Sequence, residues 1–449
     1  MDTKYQPMTM TFTRSNAVSA ANPGATTGAH SLIEALDTLT HQAHSELGNV
    51  TEPIFFVGDG LQRATVNGFF DLLHPQTWNP SNVLRLSWSA VQQTIQLSRL
   101  LLPNQANLAW QEFRNKLEIF VLVKNLASIL GLSGRFMPLP SLVERAYTVS
   151  PFAVLWAVEG LGHYYADIYW EQRGIPQGLL SEDQAPVPMK SLLMLHAGIG
   201  LSFADRLLGG LASDASSELV RSTVEYFLTL CRNNSRKGYL GAAVESLGLV
   251  TRDFYPELLA RVDQQLQQVG PEFRGYFWHG VGRALYFSRE YFIPVLHTVW
   301  SGVDREASSA PDRLNALAGL SWAVTLVNMR QPAIMENVVR SYIAHSECAE
   351  GFTNGVISSI IMRQDTTPDA PFTAEFWKYQ PNTGNQQLAM TWERRITKPA
   401  MAALDRYYPV LRRNEALDQV FHYQNLEALV QLMQQQSTRA VWQDNLQRN

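Results

Sequence analysis

Three ionisable side chains stand at four-residue steps in this chain: Glu159, His163 and Asp167. If 157–167 is one helix, all three project from a single stripe, because residues four apart are neighbours on a helix surface. Trp156 and Trp170 flank that stripe. Buried ionisable groups are costly unless paired, so three of them on an aromatic-lined face must be a hydrogen-bonded structural network, a general acid–base pair or a set of metal ligands. A Glu and a His one turn apart suit a carboxylate–imidazole hydrogen bond that favours the charged imidazole. The E-x-x-H pair of di-iron bundles is absent, which leaves any metal unspecified.

The line around the stripe recurs. Ala157-Val-Glu-Gly-Leu-Gly-His163, Leu195-His-Ala-Gly-Ile-Gly-Leu201 and Trp278-His-Gly-Val-Gly-Arg283 share a framework, with weaker echoes at 241–248, 317–322 and 352–356. Alignment puts Glu159, Ala197 and His279 in one column, and His163, Leu201 and Arg283 in the next. Polar identity therefore moves around a shared frame, as in a central site built from repeats. Arg283 offers a bidentate fork that stays charged when buried; it would clamp an anionic ligand, or pair with Glu159, Glu245 or Asp205. His196 is either a satisfied core histidine or a ligand contact. Tyr164, Trp278 and Tyr286, with Trp156 and Glu245, are the remaining candidates to line a ligand site. Glu159, His163, Asp167, His279 and Arg283 are the candidates for chemistry.

Glycine costs about 1 kcal/mol relative to alanine inside a helix, so paired glycines in several helices need a compensating gain. Close helix–helix approach supplies it. Helical periodicity runs from about Ser31 onward and no run alternates like a strand. The expectation is an all-α body of Gly-centred helical repeats, a helical stack or toroid. Its parts are a flexible segment 1–30, a helical region 31–140, a repeat body 141–363, a Pro-rich surface loop 364–387 and C-terminal helices 388–449. Ser141 and Glu144, directly after Pro138 and Pro140, read as a capping box.

Composition narrows the class. With 46% hydrophobic and 17% charged residues, most of the chain must be packed or paired. The 36 Lys and Arg against 40 Asp and Glu, net −4, argue against nucleic acid as a partner. The two cysteines, Cys231 and Cys348, match no metal or redox spacing and suit a reducing, cytoplasmic setting. No signal-peptide core is evident at the N-terminus. The best apolar windows are interrupted by Lys124, Glu159, His196 or Asp205, which argues against a membrane span. Dinucleotide, P-loop, G-x-S-x-G and H-E-x-x-H signatures are missing.

Taken in order, the lines at 159–167, 195–206, 277–287, 312–320 and 349–355 resemble the UnbL-type enediyne biosynthesis protein family, over roughly 141–363. His279 stands where that family tends to have an acidic or amide residue. The resemblance implies a role near polyketide or lipid-like metabolism and transfers no catalytic residue. Together these readings point to an accessory or tailoring protein that holds an elongated apolar ligand, free or as a carrier-bound acyl or polyketide chain, in a central cavity. The competing reading is a helical scaffold or protein-interaction module in which the same charges form a structural network.

Overall fold

A computed structural model describes residues 103–132, 134–181, 186–288, 290–292, 299–343, 349–381 and 384–436. The expected flexible segment 1–30, Cys348 and the end of the C-terminal region lie outside these residues. Helices and no strands occur among them, so the fold is all-α. They fall into two compact units, 122–286 with 299–436, and 103–121 with 287–292.

In the smaller unit the helix Pro103–Lys124 carries Phe113 and Phe120 against Phe292, with ring centroids 5.8 and 5.0 Å apart. Lys116 donates to the Tyr291 carbonyl at 3.0 Å. Burial, opposed by Glu112, pulls its ammonium down to about 8.

The larger unit is organised by the Gly-bearing helices α1 (Val154–Arg173), α2 (Met189–Leu208), α3 (Leu240–Phe254), α4 (Arg274–Phe287), α5 (Ala310–Asn328) and α6 (Ala349–Thr366). Each crosses the next in backbone contact. A Cβ on Gly162 would fall 2.5 Å from the Leu195 carbonyl oxygen, and one on Gly198 would overlap the Glu159 carbonyl. Gly200 faces Ala243, Gly248 faces Phe277, Gly280 faces Glu245, Gly282 faces Ala316, Gly319 faces His279 and Gly355 faces Ala318 in the same way. The facing numbers run in opposite senses (159 with 198 and 162 with 195; 245 with 280 and 248 with 277; 279 with 319 and 282 with 316), so these neighbours are antiparallel. The last pair differs: Leu314 faces Gly351 and Ala318 faces Gly355, so α5 and α6 run the same way. Ser246 seals the α2–α3 crossing by donating to the Ala197 carbonyl at 2.9 Å.

The other helices pack around this spine. Ser217–Asn234 begins at Ser216 and Ala310–Asn328 at Ser309, each serine accepting from a first-turn backbone N–H. α2 is long and apolar enough to cross a membrane, but 78% of its apolar window is buried inside this unit, as the core helix of a globular body would be.

Two local expectations are corrected. The segment 364–387 is not simply a surface loop: α6 runs into it as far as Thr366 and the helix Pro371–Lys378 follows, with Pro371 preset for the first helical turn and Phe376 fully buried. The proposed capping box is not one either. The helix spans Leu139–Ala146 with Pro138 before it, so Ser141 and Glu144 lie inside it and no side chain caps its start. In the C-terminal part, 386–413 is one continuous helical run with π-turns at Glu393–Thr397 and Ala403–Tyr407. Each precedes a proline, Pro399 or Pro409, by two residues. A proline ring clashes with the carbonyl four residues back and offers it no N–H, so the helix widens there instead of breaking.

Candidate functional site

The crossings bring four ionisable residues from three helices together. Glu159 comes from α1, Glu245 from α3, and His279 and Arg283 from α4, one turn apart. Glu245 and His279 are fully buried, and Arg283 and Glu159 nearly so, at 3% and 6% exposure. The Arg283 guanidinium bridges both carboxylates, donating through Nη2 to Glu159 Oε1 and through Nη1 to Glu245 Oε2 at 3.1 Å. Glu245 Oε1 lies 3.1 Å from His279 Nδ1. Trp322 of α5 lies under the guanidinium, 4.4 Å from its centre, and the His279 ring packs edge-on against Trp322 and Phe421.

These contacts fix the chemistry. An ionised carboxylate only accepts, so Nδ1 of His279 carries the hydrogen in the pair with Glu245. In the neutral form of the ring the lone pair is then on Nε2, which is buried and has no partner. Arg283 Nε is likewise buried without a partner. Burial raises the Glu159 carboxyl above the usual range, more than neighbouring Arg283 lowers it, and Glu245 adds to the rise. For Arg283, burial works against the charge, but the two carboxylates outweigh it and hold the guanidinium above its ordinary value. Two carboxylates thus share one cation.

The other candidates stand elsewhere. His163 and Asp167 share a helix with Glu159 but belong to a second, half-buried cluster. His163 Nδ1 is 3.7 Å from Asp167 Oδ2, while Asp167 Oδ1 accepts from Ser202 at 2.7 Å and Arg206 at 3.2 Å. Arg206 also lies over Trp170, at 5.3 Å. Beside it Asp205 accepts from Tyr255 at 3.1 Å rather than pairing with Arg283, and burial raises its carboxyl. His196 is satisfied on both sides: Nδ1 donates to the Leu192 carbonyl at 2.6 Å and Nε2 accepts the Arg236 backbone N–H at 3.0 Å, with Tyr239 stacked on the ring. Burial pulls its imidazole down to about 3. Trp278 donates to Asp263 in a network with Arg274 and Asp312, and the Tyr286 hydroxyl accepts from Asn328. Tyr164 is buried, and Trp156 packs 4.8 Å from Arg363.

Trp322 ends the repeat echo at 317–322, and nothing in its sequence spacing marks it as a site residue. Among the described residues no three His, Cys, Asp or Glu side chains are grouped to hold a metal ion. Between Glu159 and Glu245 the guanidinium already occupies the place of a cation. Compared with models of known protein families, with curated proteins and with solved structures, the chain has no match.

Proposed function

We propose that the chain is an accessory or tailoring protein of polyketide- or lipid-like metabolism. It holds an elongated apolar molecule, free or carrier-bound, so that the molecule's polar end meets His279 Nε2 and Arg283 Nε. The observation that carries this reading is that pair of unpartnered nitrogens, one turn apart on α4 and enclosed by Trp322 and Phe421, because buried polar atoms in proteins are ordinarily paired. Apolar walls with a few convergent polar groups are the usual make-up of a small-molecule site. Glu245 orients His279 as a carboxylate orients a general base, so proton abstraction from a bound hydroxyl or activated C–H is the chemistry this set suits. The resemblance to the UnbL-type family supports the substrate class, and the cysteine usage supports a cytoplasmic setting.

The test is native mass spectrometry and organic extraction of the gently purified full chain. The expected result is a co-purifying apolar molecule that His279→Gln reduces at least about tenfold, the loss caused by leaving a ligand polar group unpaired. An empty natural chain, or a His279→Gln chain that retains the molecule equally, overturns the reading. The completeness of the Glu159–Arg283–Glu245 pairing favours a second reading, a structural network in a helical scaffold. Under it, Glu159→Gln and Arg283→Met lower the melting temperature and change no binding.

A further inference from the structure

Away from this cluster, α6 carries a second buried cation with a different environment. Arg363 is fully buried, and among the described residues no carboxylate pairs with it. Nη1 donates to the Phe152 carbonyl at 2.9 Å, but Nε and Nη2 have no partner. The rings of Trp156, Phe152 and Phe372 surround its guanidinium at 4.8, 4.9 and 5.2 Å. The carboxylate nearest in sequence, Asp365, accepts from Tyr408 instead.

The surroundings add positive potential. Arg330, an exposed residue, stacks on the same Phe152 ring at 3.6 Å. Burial and Arg330 together pull Arg363 down to about 9. Phe372 and Thr373 belong to the first turn of the helix Pro371–Lys378, which has no capping side chain and no acidic residue there. The hydroxyls of Thr366 and Thr373 are also buried without partners. A guanidinium stays protonated in proteins, and an unpaired buried charge is among the costliest features a fold can carry. Aromatic faces offset part of that cost, but they leave the N–H groups of Nε and Nη2 unmet.

We propose that Arg363, with Arg330 and the first turn of Pro371–Lys378, forms a binding site for a compact oxyanion, a carboxylate or phosphate group presented to the fork of Arg363 between aromatic walls. The planar fork matches two oxygens of such a group. The site does not depend on the ligand reading of the His279 cluster.

The test is calorimetric titration of the full chain with inorganic phosphate and, separately, with acetate, at constant ionic strength against chloride. Binding of at least one probe is expected in the millimolar range or tighter. Stronger phosphate binding identifies a phosphate ligand and stronger acetate binding a carboxylate ligand. Arg363→Lys keeps the charge and loses the fork, and should weaken binding about tenfold or more; Arg363→Met should abolish it. Should Arg363→Met not fold, Arg330→Met at the exposed rim provides the second variant, with affinity expected to fall several-fold. No binding of either probe to the natural chain overturns the proposal, as does unchanged affinity in both Arg363→Lys and Arg330→Met.

Discussion

Replacing Arg283 by Met removes the cation that, among the described residues, bridges Glu159 and Glu245 while nearly conserving side-chain volume, so the effect reads the charge rather than a cavity. Two buried carboxylates are left facing each other. Breaking a buried ion pair by removing one partner costs about 3–5 kcal/mol, and a charged hydrogen bond contributes roughly 1.5–3 kcal/mol, so a penalty of about 4 kcal/mol is expected at pH 8. Its pH dependence is more diagnostic. The Glu159 carboxyl already lies above its ordinary value in the folded chain, and Arg283 is the largest influence opposing that rise. Without Arg283 the folded-state value climbs further, while the unfolded one stays near 4.3. A group with a raised folded-state pKa favours folding when protonated; its contribution is present below the unfolded value and lost as pH rises through the folded one. The penalty of Arg283→Met should therefore be smaller at pH 5.5 than at pH 8 by at least about 1 kcal/mol, since each titrating group contributes up to about 1.4 kcal/mol per pH unit. Urea unfolding of the variant and the natural chain at each pH measures it, the difference cancelling groups common to both. Adding Glu159→Gln should recover part of the loss at pH 8 and little at pH 5.5. A penalty below about 1 kcal/mol, or one independent of pH, would refute the idea that these carboxylates depend on the guanidinium.

Two further outcomes follow from the packing and the hydrogen bonding. Gly198→Ala should cost more than about 3 kcal/mol or block folding, because the new methyl meets the Glu159 carbonyl and two helix backbones would have to separate; Gly160→Ala should stay within about 1 kcal/mol, since its methyl meets only the tip of Leu126 and alanine favours the helix. Melting temperatures of the two variants check this. His196→Phe should cost about 2–4 kcal/mol and leave ligand content unchanged, because it loses only the bonds to Leu192 and Arg236. In the natural chain the His196 ring should stay neutral in NMR titration down to about pH 3. Because its folded-state value is depressed, the stability it contributes is present above the unfolded value near 6.5 and is lost as pH falls toward 3.

The Gly-centred lines were legible because a glycine pair inside an apolar helix has little other use than backbone contact, and the structure places each strong line at a crossing. The anchors of the buried cluster were legible too: Glu159, His279 and Arg283 fell in adjacent columns of the repeat, and Glu245 was among the partners weighed for Arg283. The stripe from Glu159 to Asp167 did not stay together, for a geometric reason. Eight residues of helix rise about 12 Å, so the two ends of one stripe reach different layers of the unit, Glu159 toward α3 and α4, Asp167 toward Ser202 and Arg206 on α2. The placement of Arg363 was not legible, because an arginine near a helix end ordinarily reads as a solvated cation favouring the dipole. Its burial depends on Phe152 and Trp156, which are distant in sequence, and on Phe372, which is brought over it by the turn after α6.

The crossings rest on main-chain atoms, and the charges of the buried cluster take no part in them. Structural support and chemical identity are thereby separable: the glycines hold the frame provided that the side chains at positions 159, 245, 279 and 283 still satisfy one another. A chain with the same glycine spacing but a different balanced set at those four positions would keep its helices in place. The frame and the charged set are in this sense separable, and replacing the four residues together, rather than singly, is the way to separate them.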